Sequence, residues 1–248
     1  MEIKEIWNSE DWTANIRHIL KWSSTIDSNR SMMLLLRHSH RETLQDHTHM
    51  ASAGLTDLGK QMSIEVGRRI PPGRPMEVYT SFVPRCFETA EGIAQGYTEI
   101  GGKVVDINPL PILVAPHIRD QNVWLELNPN GENVTEYVNR WVRGEFSDRI
   151  EPFDEYRERF IDGTIKRLNE AREESIFVHV THDLALMSAK RMLLERNLVF
   201  EDREPYLGGI GLVESNSMFE LFIGGSNTST MLHRVWKVTQ MEESSPKK

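Results

Sequence analysis

The chain has 248 residues, a formal net charge of −8, 39% hydrophobic and 27% charged residues, enough for one large α/β domain with a substantial core. It has no apolar run of ~18 residues to cross a bilayer, and its acidity argues against general nucleic-acid binding. The opening "MEIKEIWNSEDW" lacks the basic-then-apolar pattern of a signal peptide, and the single cysteine, Cys86, rules out an internal disulfide and fits a reducing, cytoplasmic setting.

In the first thirty residues, "WTANIRHILKW" puts Trp12, Ile16, Ile19 and Leu20 on one helical face. That face either covers the flank of the domain or forms a homodimer contact. "SMMLLLRH" is apolar on both faces, as a central parallel strand would be. "LTDLGKQMSIEVGRRI" repeats Leu58, Met62, Val66 and Ile70 every four residues and predicts a helix, with Thr56 as N-cap and Asp57 at the positive end of its dipole. After the break "PPGRP" come a strand, "MEVYTS", a helix opening at Pro84, "VPRCFETAEGIAQGY", and a short strand, "KVVDI".

From Pro109 to about Pro152 prolines, "NPNGEN" and scattered aromatics predict a loop-rich insertion. "FDEYRERFIDGTIKRLNEA" resumes helical spacing through Tyr156, Phe160, Thr164 and Leu168, and "SIFVHVTHD" is a strand running into a polar end. "LALMSAKRMLLERN" is a helix, and "GIGLVES" and "MFELFI" are strands joined by an "NS" turn. The tail "EESSPKK" is expected to be disordered. The whole predicts a three-layer α/β/α sandwich with a mostly parallel central sheet. Its parts are a helical extension at 1–30, the main domain at 31–240 with the insertion at about 109–152, and a tail at 241–248.

Ligands of such sheets sit beyond the carboxyl ends of the strands. Three predicted strands end in "LLLRHSHR", "VYTSFVPR" and "HVTHD", which gathers Arg37, His38, Arg41, Arg85, His182 and Asp183 on one rim. Arginines in that number repel one another unless an anion lies between them, and their planar forks match phosphate oxygens. A neutral imidazole can attack phosphorus, a second can donate to the transferring oxygens, and a carboxylic acid can protonate the leaving oxygen. Asp183, beside His182, is the nearest candidate for that acid. At the start of a helix it could equally be an N-cap.

These segments resemble the histidine phosphatase superfamily, which includes phosphoglycerate mutases and histidine acid phosphatases. "LLLRHS" stands where the family has strand–Arg–His–Gly. "LTDLGKQ" is similar to its Leu-Thr-x-x-Gly segment, "SFVPRCFETA" to its Ser-x-x-x-Arg-x-x-x-Thr-Ala helix start, and "VTHD" to the strand ending in the second histidine. The four segments follow the family's order from Ser31 to Arg196. The resemblance implies a phosphomonoester hydrolase acting through a phosphohistidine at His38 on a small phosphorylated metabolite, with neither metal nor cofactor. Arg37, Arg85 and His182 would then hold the phosphoryl oxygens. Arg41 matches an extra arginine of the acid-phosphatase members, and His182-Asp183 their proton-donor motif.

Ser39 departs from the family's glycine, where a side chain restricts the backbone. Mutase-like members take their acid from a glutamate after the third strand, which makes Glu126 a rival to Asp183, with Asp120 behind it. A phosphoryl-transfer mutase and a phospho-ligand binding protein without turnover are the competing readings. "HSHRETLQDHTH" also offers His40, His47, His49 and Asp46, whose spacing matches no compact zinc site. Cys86 lies near a helix start, where thiols are activated, although an ordinary small core residue accounts for it as well.

Overall fold

The computed structural model describes residues 3–170, 174–215, 218–223 and 232–237. The strands are β1 (Met32–Arg37), β2 (Met76–Thr80), β3 (Val104–Pro109), β4 (Ile176–Thr181), β5 (Gly209–Ser215), β6 (Met218–Ile223) and β7 (Leu232–Lys237). They form one sheet in the order β3-β2-β4-β1-β5-β6-β7. β3, β2, β4 and β1 run parallel, and β5, β6 and β7 continue the sheet as antiparallel neighbours. The proposed "NS" turn and the 241–248 tail lie outside the described residues.

The helices are α1 (Ile3–Ser9), α2 (Ala14–Ser23), α3 (Asp57–Arg69), α4 (Pro84–Glu99), α5 (Val134–Val142), α6 (Phe153–Gly163), α7 (Ile165–Asn169) and α8 (Asp183–Leu194). Strand alternation on β1 sorts them into two layers. Met32, Leu34 and Leu36 enter a core shared with residues of α1 to α4. Met33 and Leu35 enter the opposite core, built with α5 to α8. All six residues of β1 and of β4 are buried, which is why both read as uninterrupted apolar runs.

The helix signals work as their physics dictates. Thr56 accepts a hydrogen bond from Gly59 N (3.0 Å) and so caps α3. Met62, Val66 and Ile70 are fully buried, each worth about 1.5–3 kcal/mol. At Gly59 an added Cβ would sit 2.1 Å from the His40 carbonyl oxygen, so this glycine lets α3 press against the loop that follows β1. On α2, Ile16, Ile19 and Leu20 are buried, Trp22 stacks on Phe222 of β6 (5.4 Å), and Asn15 accepts from Gly209 N (2.9 Å). The apolar face of α2 therefore covers the antiparallel part of the sheet.

Two elements differ from the sequence expectation. The insertion contains α5, whose Val134, Tyr137, Val138 and Trp141 are buried at helical spacing. The helix expected over 153–171 breaks at Thr164, whose φ of −125° and ψ of −73° end α6 and start α7. Tyr156, Phe160, Thr164 and Leu168 are all buried nonetheless, so the spacing reports the shared core rather than one continuous helix.

His179, in the middle of β4, stacks on Tyr79 (5.0 Å) and is fully buried. Burial, aided by Arg167, lowers its pKa to about 3. The unfolded chain binds a proton here below pH ~6.5 while the folded chain does not. Stability is therefore full above that pH and falls as pH drops toward about 3, by about 1.4 kcal/mol per unit for such a group. His179→Phe should flatten the pH dependence of the urea midpoint between pH 7.5 and 5. An unchanged slope would contradict this.

Candidate active site

The carboxyl ends of β1, β2 and β4 deliver the chemistry. β1 ends in Arg37 and passes to His38, β4 passes through Thr181 to His182, and Arg85 enters from the first turn of α4 after β2. Backbone hydrogen bonds fix this rim: His38 N donates to Thr181 O (2.9 Å) and Ser81 N to Val180 O (3.1 Å). Ser39 has no left-handed backbone, and its hydroxyl donates to Gly59 O (2.8 Å). The conformation here therefore does not require glycine.

The two histidine rings lie 5.7 Å apart at 62°. His38 Nδ1 is 2.8 Å from its neighbour's carbonyl, Ser39 O, so this nitrogen carries the proton and Nε2 keeps its lone pair. Arg85 Nε donates to that Nε2 (3.2 Å), and Arg85 Nη2 lies 2.9 Å from His182 Nδ1. His182 Nε2 meets Ser81 Oγ at 2.9 Å. Both histidine pKa values are pushed well below 6.5, first by burial and then by Arg85 and Arg37. Each is held as neutral imidazole, the form in which nitrogen is a nucleophile.

Arg37 lies beside them, donating from Nη2 to Asp183 Oδ2 (3.1 Å) and from Nη1 to Glu204 O (3.0 Å). Asp183 is the first residue of α8 and does not act as its N-cap, which is His182. Arg41 is buried nearby, its fork bonded to Asn130 Oδ1 (3.0 Å), Pro129 O (3.3 Å) and Glu42 O (2.7 Å). Thus Arg37, His38, Arg85, His182 and Asp183 meet at one point, and Arg41 ties the insertion down beside them.

Glu126 and Asp120 lie apart from this cluster. Glu126 pairs with Arg140 and Arg149 (3.1 Å each), and these hydrogen bonds hold its carboxyl below the usual range. Asp120 accepts from Asn122 N (2.9 Å) and caps the 3-10 turn at 121–126. His40 and His47 point to different partners, Thr56 Oγ1 and Leu127 O (2.8 Å each). Among the described residues, no group of three or more His, Cys, Asp or Glu is placed to hold a metal ion, and no helix is long and apolar enough to cross a membrane. Cys86 is buried at 3.4 Å from His182 Nε2, and burial pushes its thiol up to about 12, which makes it a core residue rather than a thiolate.

The sequence reading missed three contributors. β5 runs antiparallel to β1 and pairs Gly209 with Leu36, so the segment just before β5 lies at the rim. It brings the Tyr206 ring under Arg37 (4.8 Å) and 5.7 Å from His38, and it brings Arg203, which donates to Asn130 O. Asn130 in turn exchanges hydrogen bonds with Leu44 N (2.8 Å) and Leu44 O (2.9 Å). Next to it, Gly131 has φ of +73°, and a Cβ there would lie 2.0 Å from Asp183 Oδ2. Only glycine lets the insertion close over that carboxylate.

Behind Arg37, Lys190 and Glu204 form a fully buried pair (2.7 Å), and Lys190 also donates to Asp202 O. Burial raises Glu204 to about 7 against the pull of Lys190. The pair clamps the 202–206 segment to α8. Lys190→Met leaves the carboxyl of Glu204 without its cation and should cost about 3–5 kcal/mol, measured by urea unfolding. A loss below about 1 kcal/mol would place the clamp's role elsewhere.

The description "Histidine phosphatase superfamily (branch 1)" belongs to a family model that matches residues 33–206, well over half the chain. Among curated proteins no sequence matches significantly. Among solved structures, phosphoglycerate mutase from Bacillus anthracis str. Sterne is similar with a TM-score of 0.52 and 15% identity, covering 80% of this chain and 93% of that one. Bacillus stearothermophilus YhfR is similar with a TM-score of 0.51 and 17% identity, covering 85% and 99%. At these identities the likeness carries the fold, and the α/β sheet with helices on both faces is the one they share. With the family model running from Met33 in β1 to Tyr206, the chain belongs to the histidine phosphatase superfamily.

Proposed function

We propose that the protein hydrolyses phosphomonoesters through a phosphohistidine at His38, without a metal ion. The observation that carries this is the His38 ring itself. Its Nδ1–H is held by Ser39 O, its Nε2 lone pair is turned to Arg85, and burial among arginines keeps it neutral. In this reading a phosphoryl dianion takes over the forks of Arg85 and Arg37, which match its oxygens. His38 Nε2 bonds to phosphorus as the ester P–O bond breaks. His182, which shares Arg85 with His38, is positioned to stabilise the transferring oxygens.

The same dianion displaces Asp183 from Arg37, which frees its carboxyl group, entering as the acid, to face the leaving oxygen. Asp183 then gives its proton to the leaving oxygen, and its carboxylate later takes one from the water that attacks the phosphohistidine. Arg37, Arg85 and the histidines supply the charge stabilisation that a metal provides in other phosphoryl-transfer sites. Arg41 acts at one remove, by fixing the insertion. The partner in this reading is a small phosphorylated molecule.

The test is hydrolysis of an aryl phosphate with release of inorganic phosphate. Turnover that vanadate inhibits and EDTA leaves unchanged is expected. Vanadate-insensitive turnover, or turnover abolished by EDTA and restored by a divalent ion, would overturn the reading.

A further inference from the structure

The phosphoryl site opens into a cavity of about 320 Å³ that runs from Arg85, His182 and Asp183 out to the insertion. Its walls are largely apolar, formed by Met50, Val83, Val114, Trp124, Leu127 and Leu184. For scale, a cavity of about 150 Å³ holds a benzene molecule, so this one accommodates a phosphoryl group and a single ring beside it.

The charged side chains around it are already committed. Arg85, the only arginine among its described lining residues, bonds both catalytic-site histidines and Met50 O. His47 donates to Leu127 O, and Asp183, the only lining carboxylate among the described residues, offers an anion no cation whether it pairs with Arg37 or faces the leaving oxygen. The insertion's own arginines point elsewhere. Arg119 donates to Ser147 O, Arg140 and Arg149 to Glu126, and Arg143 to Glu136 and Glu145. Thr48 and Gln121 are the neutral polar side chains on the described walls, so a carboxylate or second phosphate on the leaving group would give up part of its hydration without gaining a cation, which is costly. An uncharged apolar group loses nothing polar and buries its surface against the walls.

Resting on the proposed phosphatase reading, we infer that the substrates are phosphate monoesters of uncharged, largely apolar alcohols or phenols, and that esters carrying a second anionic group are rejected. This also counts against phosphoryl transfer between phosphoglycerates, each of which brings a carboxylate.

A matched pair tests the inference: 4-propylphenyl phosphate and 4-(2-carboxyethyl)phenyl phosphate are close in size and in leaving-group chemistry and differ in charge. The expected kcat/KM favours the neutral ester by about 10²-fold, the scale of burying one unpaired polar group. Ala115→Lys, at a half-buried lining position, should bring the ratio close to one by raising the carboxylate ester. Equal kcat/KM for the pair in the wild-type protein, or a preference for the carboxylate ester, overturns the inference. Calorimetric binding of the corresponding pair of phosphonates separates the two proposals. Preferential binding of the neutral phosphonate without turnover of either ester would sink the catalytic reading and support the pocket. Equal binding, or binding of neither, would sink the pocket assignment whatever the turnover.

Discussion

His38→Ala should reduce hydrolysis of an aryl phosphate by about 10⁴-fold or more, the scale seen when a covalent nucleophile is removed. Its neighbours are placed for other work. His182 has its Nδ1 facing Arg85 and its Nε2 facing Ser81, and the Cys86 thiol is held protonated by burial. The loss should appear in kcat with the fold intact. His38 lies at the end of β1 rather than within the apolar faces of Met32 to Leu36, so circular dichroism and the thermal midpoint should change little. A folded variant with activity near wild type would remove His38 from the mechanism.

Asp183→Asn should discriminate among leaving groups. An alkyl alkoxide leaves only with a proton, so alkyl phosphates should lose about 10²–10⁴-fold, the range of general acid catalysis. An activated aryl phosphate departs as a stabilised anion, and its phosphorylation step should suffer far less. Because Asn keeps the shape of Asp, the contact with Gly131 and the start of α8 should survive. Glu126→Gln is the control: Glu126 is bound to Arg140 and Arg149 and does not line the cavity, so both substrate types should be unaffected. Selective loss of alkyl-phosphate turnover in Glu126→Gln alone would move the acid into the insertion.

The parts of the fold visible in the sequence are those where one physical signal dominates. β1 and β4 are buried on both faces and read as apolar runs, and α3 announces itself through Thr56 and the Met62–Val66–Ile70 spacing. Because both strands run the same way, their polar ends had to meet, and Arg37, His38, His182 and Asp183 follow from that. α5 was hidden by its surroundings: it is nine residues long, lacks a side-chain N-cap hydrogen bond and follows a Pro/Asn/Gly stretch, although its apolar spacing is regular. Arg203, Tyr206 and Asn130 carry no local pattern at all. They reach the site only because β5 turns back antiparallel along β1 and because the insertion folds down over Asp183. Ser39 looked like a departure that could strain the backbone, but its hydroxyl has a partner in Gly59 O.

The central claim is a covalent bond between phosphorus and His38 Nε2. Rapid mixing with a saturating aryl phosphate, an alkaline quench and peptide mapping by mass spectrometry would measure it directly. The account predicts a phosphoryl group on the peptide containing His38, stable in alkali, lost in acid and absent in His38→Ala. A turning-over enzyme whose phosphoryl adduct maps to another residue, or persists in His38→Ala, would contradict it.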